Sequence, residues 1–181
     1  MWASLLAGGL SRLWPVGLWP IGADPARAQG PVPQGAAPGL LDYAAGALAR
    51  LIEASRERAI AAGVRAIPPG IQRGLVEFFP ANLLQRVRYR VVTEQEGLLL
   101  PQLAFDSGHA DAMTLGDVIL FRREHTAQTD LVLWAHELTH VMQYQRWGTD
   151  GFAARYVRDY EAVEREAREN AARFRAWQSR R

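Results

Sequence analysis

The chain has 181 residues and a mass near 20.1 kDa, with 49% hydrophobic and 22% charged residues. That suits one small globular domain and excludes an unfolded, collagen-like or disulfide-stapled chain. There is no cysteine, which excludes thiolate metal sites, iron–sulfur clusters and a Cys nucleophile and leaves His, Asp and Glu to hold any metal. The 21 basic residues, all Arg, are interspersed with 19 acidic ones, so the net charge of +2 is a small surplus and not a nucleic-acid patch.

Residues 1–28 read as a secretory signal peptide: Arg12, an apolar run from Leu13 to Ala23, then Ala26-Arg27-Ala28 as a small-residue cleavage site. Cleavage is expected after Ala28, giving a secreted or periplasmic protein that begins at Gln29. The other reading of this stretch is an uncleaved membrane anchor, but Pro15 and Pro20 interrupt it and no run reaches the roughly 18 apolar residues of a span. Residues 29–39 (QGPVPQGAAPG) read as a flexible Pro/Gly linker, and residues 40–181 as a single domain.

Across residues 40–62, Leu41, Ala45, Leu48, Leu51, Ile52 and Ala59 recur at helical spacing with Arg and Glu between them, which predicts an amphipathic helix. The segment Ala66-Ile67-Pro68-Pro69-Gly70 ends it. A short helix is expected over residues 71–78 with Pro80 as its stop, and one more turn over 81–85. Residues 86–92 (RVRYRVV) alternate charged and apolar, the period of a half-buried strand. Arg86, Arg88 and Arg90 then share one face, read as solvated rather than as a polyanion or substrate-carboxylate site. Residues 98–103 and 112–115 are further strand pieces. Gly116-Asp117 is a turn, and 118–122 (VILFR) is the clearest strand. The expected fold class is α+β, with a small, mainly antiparallel sheet between helices.

Residues 131–147 (LVLWAHELTHVMQYQRW) predict a strongly apolar helix, with Asp130 or Thr129 as N-cap and Gly148 as its left-handed end. Trp134, Leu138, Val141 and Trp147 read as core. Inside lies His136-Glu137-Leu138-Thr139-His140, an H-E-x-x-H pattern that uses two of the chain's four histidines. His at i and i+4 share a helical face and can converge on one ion. Glu137, beside the first His, faces the open side of that ion and can act as general base toward a water there. Zn2+ in such a site brings water toward neutral pKa and polarises a carbonyl, the needs of amide hydrolysis.

The third ligand is expected on a later helix, residues 159–175 (DYEAVEREARENAARFR), where Glu161, Glu164, Glu166 and Glu169 compete. Glu166 is the choice. Ala167 beside it permits close helix approach, and Asn170, one turn on, could accept the free N–H of a ligand His. Glu161 and Glu164 are the alternatives.

These residues resemble the zincin metallopeptidases of gluzincin type, HEXXH plus a downstream Glu. More specifically, residues 67–174 resemble the eCIS core domain, a small bacterial metallopeptidase-like family found near extracellular contractile injection systems. The stretches that carry this are FFPANLLQRVRYRV, AMTLGDVILFR, WAHELTHVMQYQRWG, FAARYVRDY and EREAREN; Arg168 departs from the acidic residue often found there. The resemblance implies a zincin-like domain that binds zinc through His136, His140 and Glu166. It also implies an edge strand that pairs with extended substrate, for which residues 118–122 are the candidate. Zincins also carry a Tyr or His for the oxyanion. Tyr156, between the two metal-binding helices, is the first choice among Tyr144, Tyr156, Tyr160, His109 and His125. Gln143 and Gln145 receive no role. The reading is a secreted or periplasmic zinc metallopeptidase acting on a peptide or protein substrate, without nucleic acid or a stable membrane span. Its alternative is a catalytically silent, zinc-stabilised interaction module associated with injection or secretion systems.

Overall fold

The computed structural model describes residues 38–92 and 111–181. The expected signal peptide, the strand at 98–103, His109 and all but the last two residues of the expected linker lie outside the described residues.

The fold is α+β, mostly helical, around a small four-stranded sheet. Helix α1 (Pro38–Ala61) opens with Pro in its first turn, where the missing N–H costs nothing. It begins two residues inside the expected linker and buries Ala45, Leu48, Ala49, Ile52 and Ala59, the periodic stripe. Strand β1 (Arg65–Ala66) follows, a short edge strand that the sequence did not announce. Helices α2 (Pro69–Leu75) and α3 (Ala81–Arg86) each start at a proline pair or just after a proline, and lead into β2 (Arg88–Val91). Strands β3 (Ala112–Leu115) and β4 (Val118–Phe121) form a hairpin in which Leu115 pairs with Val118 across Gly116-Asp117. Gly116 takes φ 67° there, the conformation a two-residue hairpin loop demands and glycine supplies without strain. A short helix α4 (Glu124–Thr129), also unannounced, precedes the long α5 (Leu131–Gln178).

The sheet order is β1-β2-β4-β3, with β2 and β4 parallel and the other two pairs antiparallel. The sheet is therefore mixed where a mainly antiparallel one was expected. The cause is the insertion of β4 between β2 and β3, which makes it the central strand. Its four residues are all buried, as befits an apolar run covered on both faces. The expectation that 118–122 is a free edge is thereby corrected: both of its sides are occupied. Among the described residues, β3 is the strand at that end of the sheet.

Two apolar clusters sit on the two faces. Met113, Leu115, Val118 and Leu120 pack with Leu48 and Ile52 of α1. Ala112, Ile119 and Phe121 pack with Trp134, Leu138 and Phe174 of α5. The Arg face of β2 does structural work: Arg90 donates to the carbonyls of Ala62 and Gly63 beyond the end of α1, and Arg88 to those of Gln85 and Val87. No helix among the described residues is long and apolar enough to cross a membrane.

Candidate metal centre

Asp130 caps α5, its carboxylate accepting from the Leu133 N–H at 2.9 Å. The helix breaks twice. Gly148 (φ 69°, ψ 173°) occupies a region open only to glycine, so it interrupts the helix as expected, yet the chain turns at once into a new helical segment. Asp159 makes the second break, and its carboxylate accepts from the Ala162 N–H at 3.0 Å, capping a third segment. The result folds residues 160–178 back against residues 131–147.

This brings His136, His140 and Glu164 together, with one donor atom from each lying within 4.8 Å of the others. The two Nε2 atoms are 3.1 Å apart; Glu164 Oε2 stands 3.3 Å from His136 Nε2, and Oε1 3.5 Å from His140 Nε2. Ligand atoms about 2.0–2.2 Å from a tetrahedral ion stand about 3.3–3.6 Å from one another, so the separations between carboxylate and rings are near those of such a site, and the two rings stand slightly closer. All are nearly inaccessible, at 6%, 3% and 1% exposure. Among the described residues, His136 Nδ1 and Glu164 Oε1 are buried without a hydrogen-bond partner, a cost a folded chain seldom leaves unmet. An ion on this group would meet the carboxylate's need.

The charges agree. Burial opposes a charged His140, but Glu164, with smaller help from Glu137 and Gln143, outweighs it and raises the ring to about 9. Burial likewise opposes an ionised Glu164, and His140 and then His136 outweigh it and hold the carboxyl down to about 2. Glu164 thus favours a charged His140 and the two rings an ionised Glu164, a balance that a bound cation would shift.

Glu166 is corrected as third ligand. It lies two residues, about 200° of helix, away from Glu164, and its carboxylate binds Arg146 at 2.6 Å and Gln143 at 3.0 Å. Glu161 pairs with Arg168 at the surface, and Glu169 is exposed. Asn170 is corrected too: its amide donates to Thr139 Oγ1 at 2.8 Å, not to a ligand ring. A usable signal was present. Tyr160, Glu164, Ala167, Ala171 and Phe174 repeat at intervals of four and three, so Glu164 is the acidic residue on the stripe that must face the core.

Glu137 is 2% exposed, and Thr114 of β3 donates its hydroxyl to Glu137 Oε2 at 2.7 Å. Beside this group lies a cavity of about 50 Å³, lined by Met113, Thr114, His140, Phe152, Tyr156 and Glu164, with Leu48 and Ile52 of α1 also on its wall. Tyr144 stacks on Phe152 at 3.9 Å, and Phe152 on Tyr156 at 5.6 Å, forming one wall. Tyr156 thus reaches the cavity that His140 and Glu164 line. Burial, with Glu164 next, holds its hydroxyl protonated well above the usual range. Tyr144 also lines this cavity, but its hydroxyl is directed to the Thr114 carbonyl at 3.4 Å. His125 is exposed on α4, away from the group. Trp147 is half-buried between the guanidinium groups of Arg146 and Arg155.

No curated protein and no solved structure matches the chain. Residues 66–148 match the family model of the eCIS core domain. The match takes in the sheet, His136, Glu137 and His140 and stops at Gly148, so α1 and Glu164 lie beyond it. Over that stretch, the chain is similar to the eCIS core domain.

Proposed function

We propose that the protein is a zinc-dependent hydrolase of peptide bonds that works in association with an extracellular contractile injection system. The observation that carries this is the buried convergence of His136, His140 and Glu164, with Glu137 one residue from the first ligand. His136, His140 and Glu164 would hold Zn2+, which when bound acidifies water and polarises a carbonyl. Glu137 takes the proton of the attacking water on the carboxylate and returns it to the leaving amine. Thr114 fixes Oε2 of that carboxylate and leaves Oε1 to move the proton. Tyr156, protonated and facing the cavity, donates to the developing oxyanion. An extended substrate would pair along β3, the end strand, beside the cavity whose wall includes Leu48 and Ile52 of α1. The expected leader places the mature chain outside the cytoplasm, and N-terminal sequencing that begins at Gln29 tests this.

The test starts with elemental analysis of the full chain, where one zinc per chain is expected. In a peptide-library assay, Glu137→Gln should keep its zinc and lose about 100-fold or more in rate. Wild-type turnover by that variant would sink the hydrolase reading. A second reading, a zinc-stabilised interaction module, draws on the small size of the cavity beside α1, about 50 Å³. Zinc that raises the melting temperature while no peptide is cleaved would favour it. Cleavage stopped by a chelator and restored by zinc would rule it out.

A further inference from the structure

We infer that Gln143 is a positioning residue that presets His140 for the metal and sets Glu164 against it; this rests on the metal-centre reading above. Gln143 is wholly buried, three residues after His140. A buried carboxamide must satisfy two N–H donors and one oxygen. Its nitrogen faces two groups that can only accept, the Val163 carbonyl and Glu166 Oε2, each at 3.0 Å. Turning the amide over would place its oxygen against a carbonyl and a carboxylate, so the orientation is determined. Its oxygen therefore accepts, and the group it faces at 2.8 Å, His140 Nδ1, must carry the hydrogen. In the neutral ring, that leaves the lone pair on Nε2, the atom beside His136 and Glu164.

The same side chain grips the other segment. Val163 is the neighbour of Glu164, so the bond to its carbonyl fixes the height at which Glu164 meets the histidines. Glu166 is in turn held by Arg146 at 2.6 Å. A chain from Arg146 through Glu166 and Gln143 to His140 thus joins the two ligand-bearing segments. The residue that looked like the ligand supports one instead. Among the described residues, His136 has no such support, since its Nδ1 meets no partner there. The two histidines are therefore not equivalent: His140 is oriented before the metal arrives, and His136 is oriented by it.

The experiment uses the full chain with zinc. Affinity is measured by competition with a chromophoric chelator, and the His140 ring N–H is followed by proton NMR of the zinc-loaded protein. Gln143→Met should weaken zinc binding about 10–100-fold and expose the His140 Nδ1–H to rapid solvent exchange. Glu166→Ala, at a partly exposed position that does not threaten folding, should weaken binding severalfold and speed that exchange. Unchanged affinity in both variants, or weaker binding with the Nδ1–H still protected in both, would overturn the role of Gln143. A wild-type chain that takes up no zinc would overturn the metal centre, and this inference with it. Zinc lost in His136→Ala but retained at full affinity in Gln143→Met would leave the centre standing and remove only this inference.

Discussion

Residues 131–147 and 160–178 are two arms of one long helix, each started by an aspartate cap and each laid along the same core. They differ in how polar groups reach the interior. The first arm buries five, His136, Glu137, Thr139, His140 and Gln143; the third buries one, Glu164. In the first arm, the spacing along a single helix sets the geometry, because i and i+4 are neighbours wherever the helix goes. In the third, the same precision depends on two breaks in the chain and on how the arm rolls against its partner. A local pattern can supply two candidate ligands and a candidate base, whereas the last candidate ligand is a property of packing.

The largest expected effect breaks the comparison at its ligands. Glu164→Ala should abolish stoichiometric zinc, as His136→Ala should, while Glu166→Ala should keep one zinc per chain. Elemental analysis reads all three. Zinc lost with Glu166 and kept with Glu164 would mean that the third arm is rolled by about half a turn in the metal-bound protein.

That test also marks how far the sequence was legible. The helix at α1, the turn at Gly116, strands β2 to β4 and the HEXXH arm all follow from periodicity and turn chemistry. The mixed pairing does not, because strand order depends on where β4 inserts, not on its own residues. The short β1 and α4 carry too few residues for a period to register. Glu166 was favoured for its neighbours Ala167 and Asn170, a local argument. The stripe formed by Val163, Ala167, Ala171 and Phe174 decides otherwise, because it fixes the roll of the whole arm. The role of Gln143 is not legible in the sequence because two of its three partners lie 20 and 23 residues away.

Next in size is the packing that fixes this roll. Phe174 is fully buried and meets Phe78 edge-on, with ring centroids 5.2 Å apart. Phe174→Ala should cost about 3–5 kcal/mol of stability, read by denaturant unfolding of the zinc-free chain. It should weaken zinc binding as well, since the arm that carries Glu164 loses its seat. A stability loss with unchanged zinc affinity would show that Gln143 and the break at Asp159 alone place the ligand.

Gly148→Ala probes the first break. A methyl group there meets nothing within 4 Å, so any cost is backbone strain at φ 69° and ψ 173°. About 1–3 kcal/mol is expected, again by denaturant unfolding. A neutral or stabilising result would mean that residues 147–149 relax into continuous helix, and the second arm would then point elsewhere.

The smallest effects compare the caps. Asp130→Ala and Asp159→Ala each remove one side-chain acceptor for a first-turn N–H, worth about 1 kcal/mol. The two losses should be similar in the melting temperature of the zinc-free chain. They should separate in zinc affinity. Asp130 starts an arm in which His136, Glu137 and His140 are fixed to one another by the helix itself, so fraying its first turn moves them little. Asp159 starts the third arm at the bend that turns it back, and Glu164 lies only five residues beyond. A looser bend lets Glu164 drift from both histidines while they stay in place. Zinc affinity should therefore fall in Asp159→Ala and hold in Asp130→Ala. Equal losses of affinity would mean that the first arm is no more self-contained than the third, and that its register too is imposed by what packs against it.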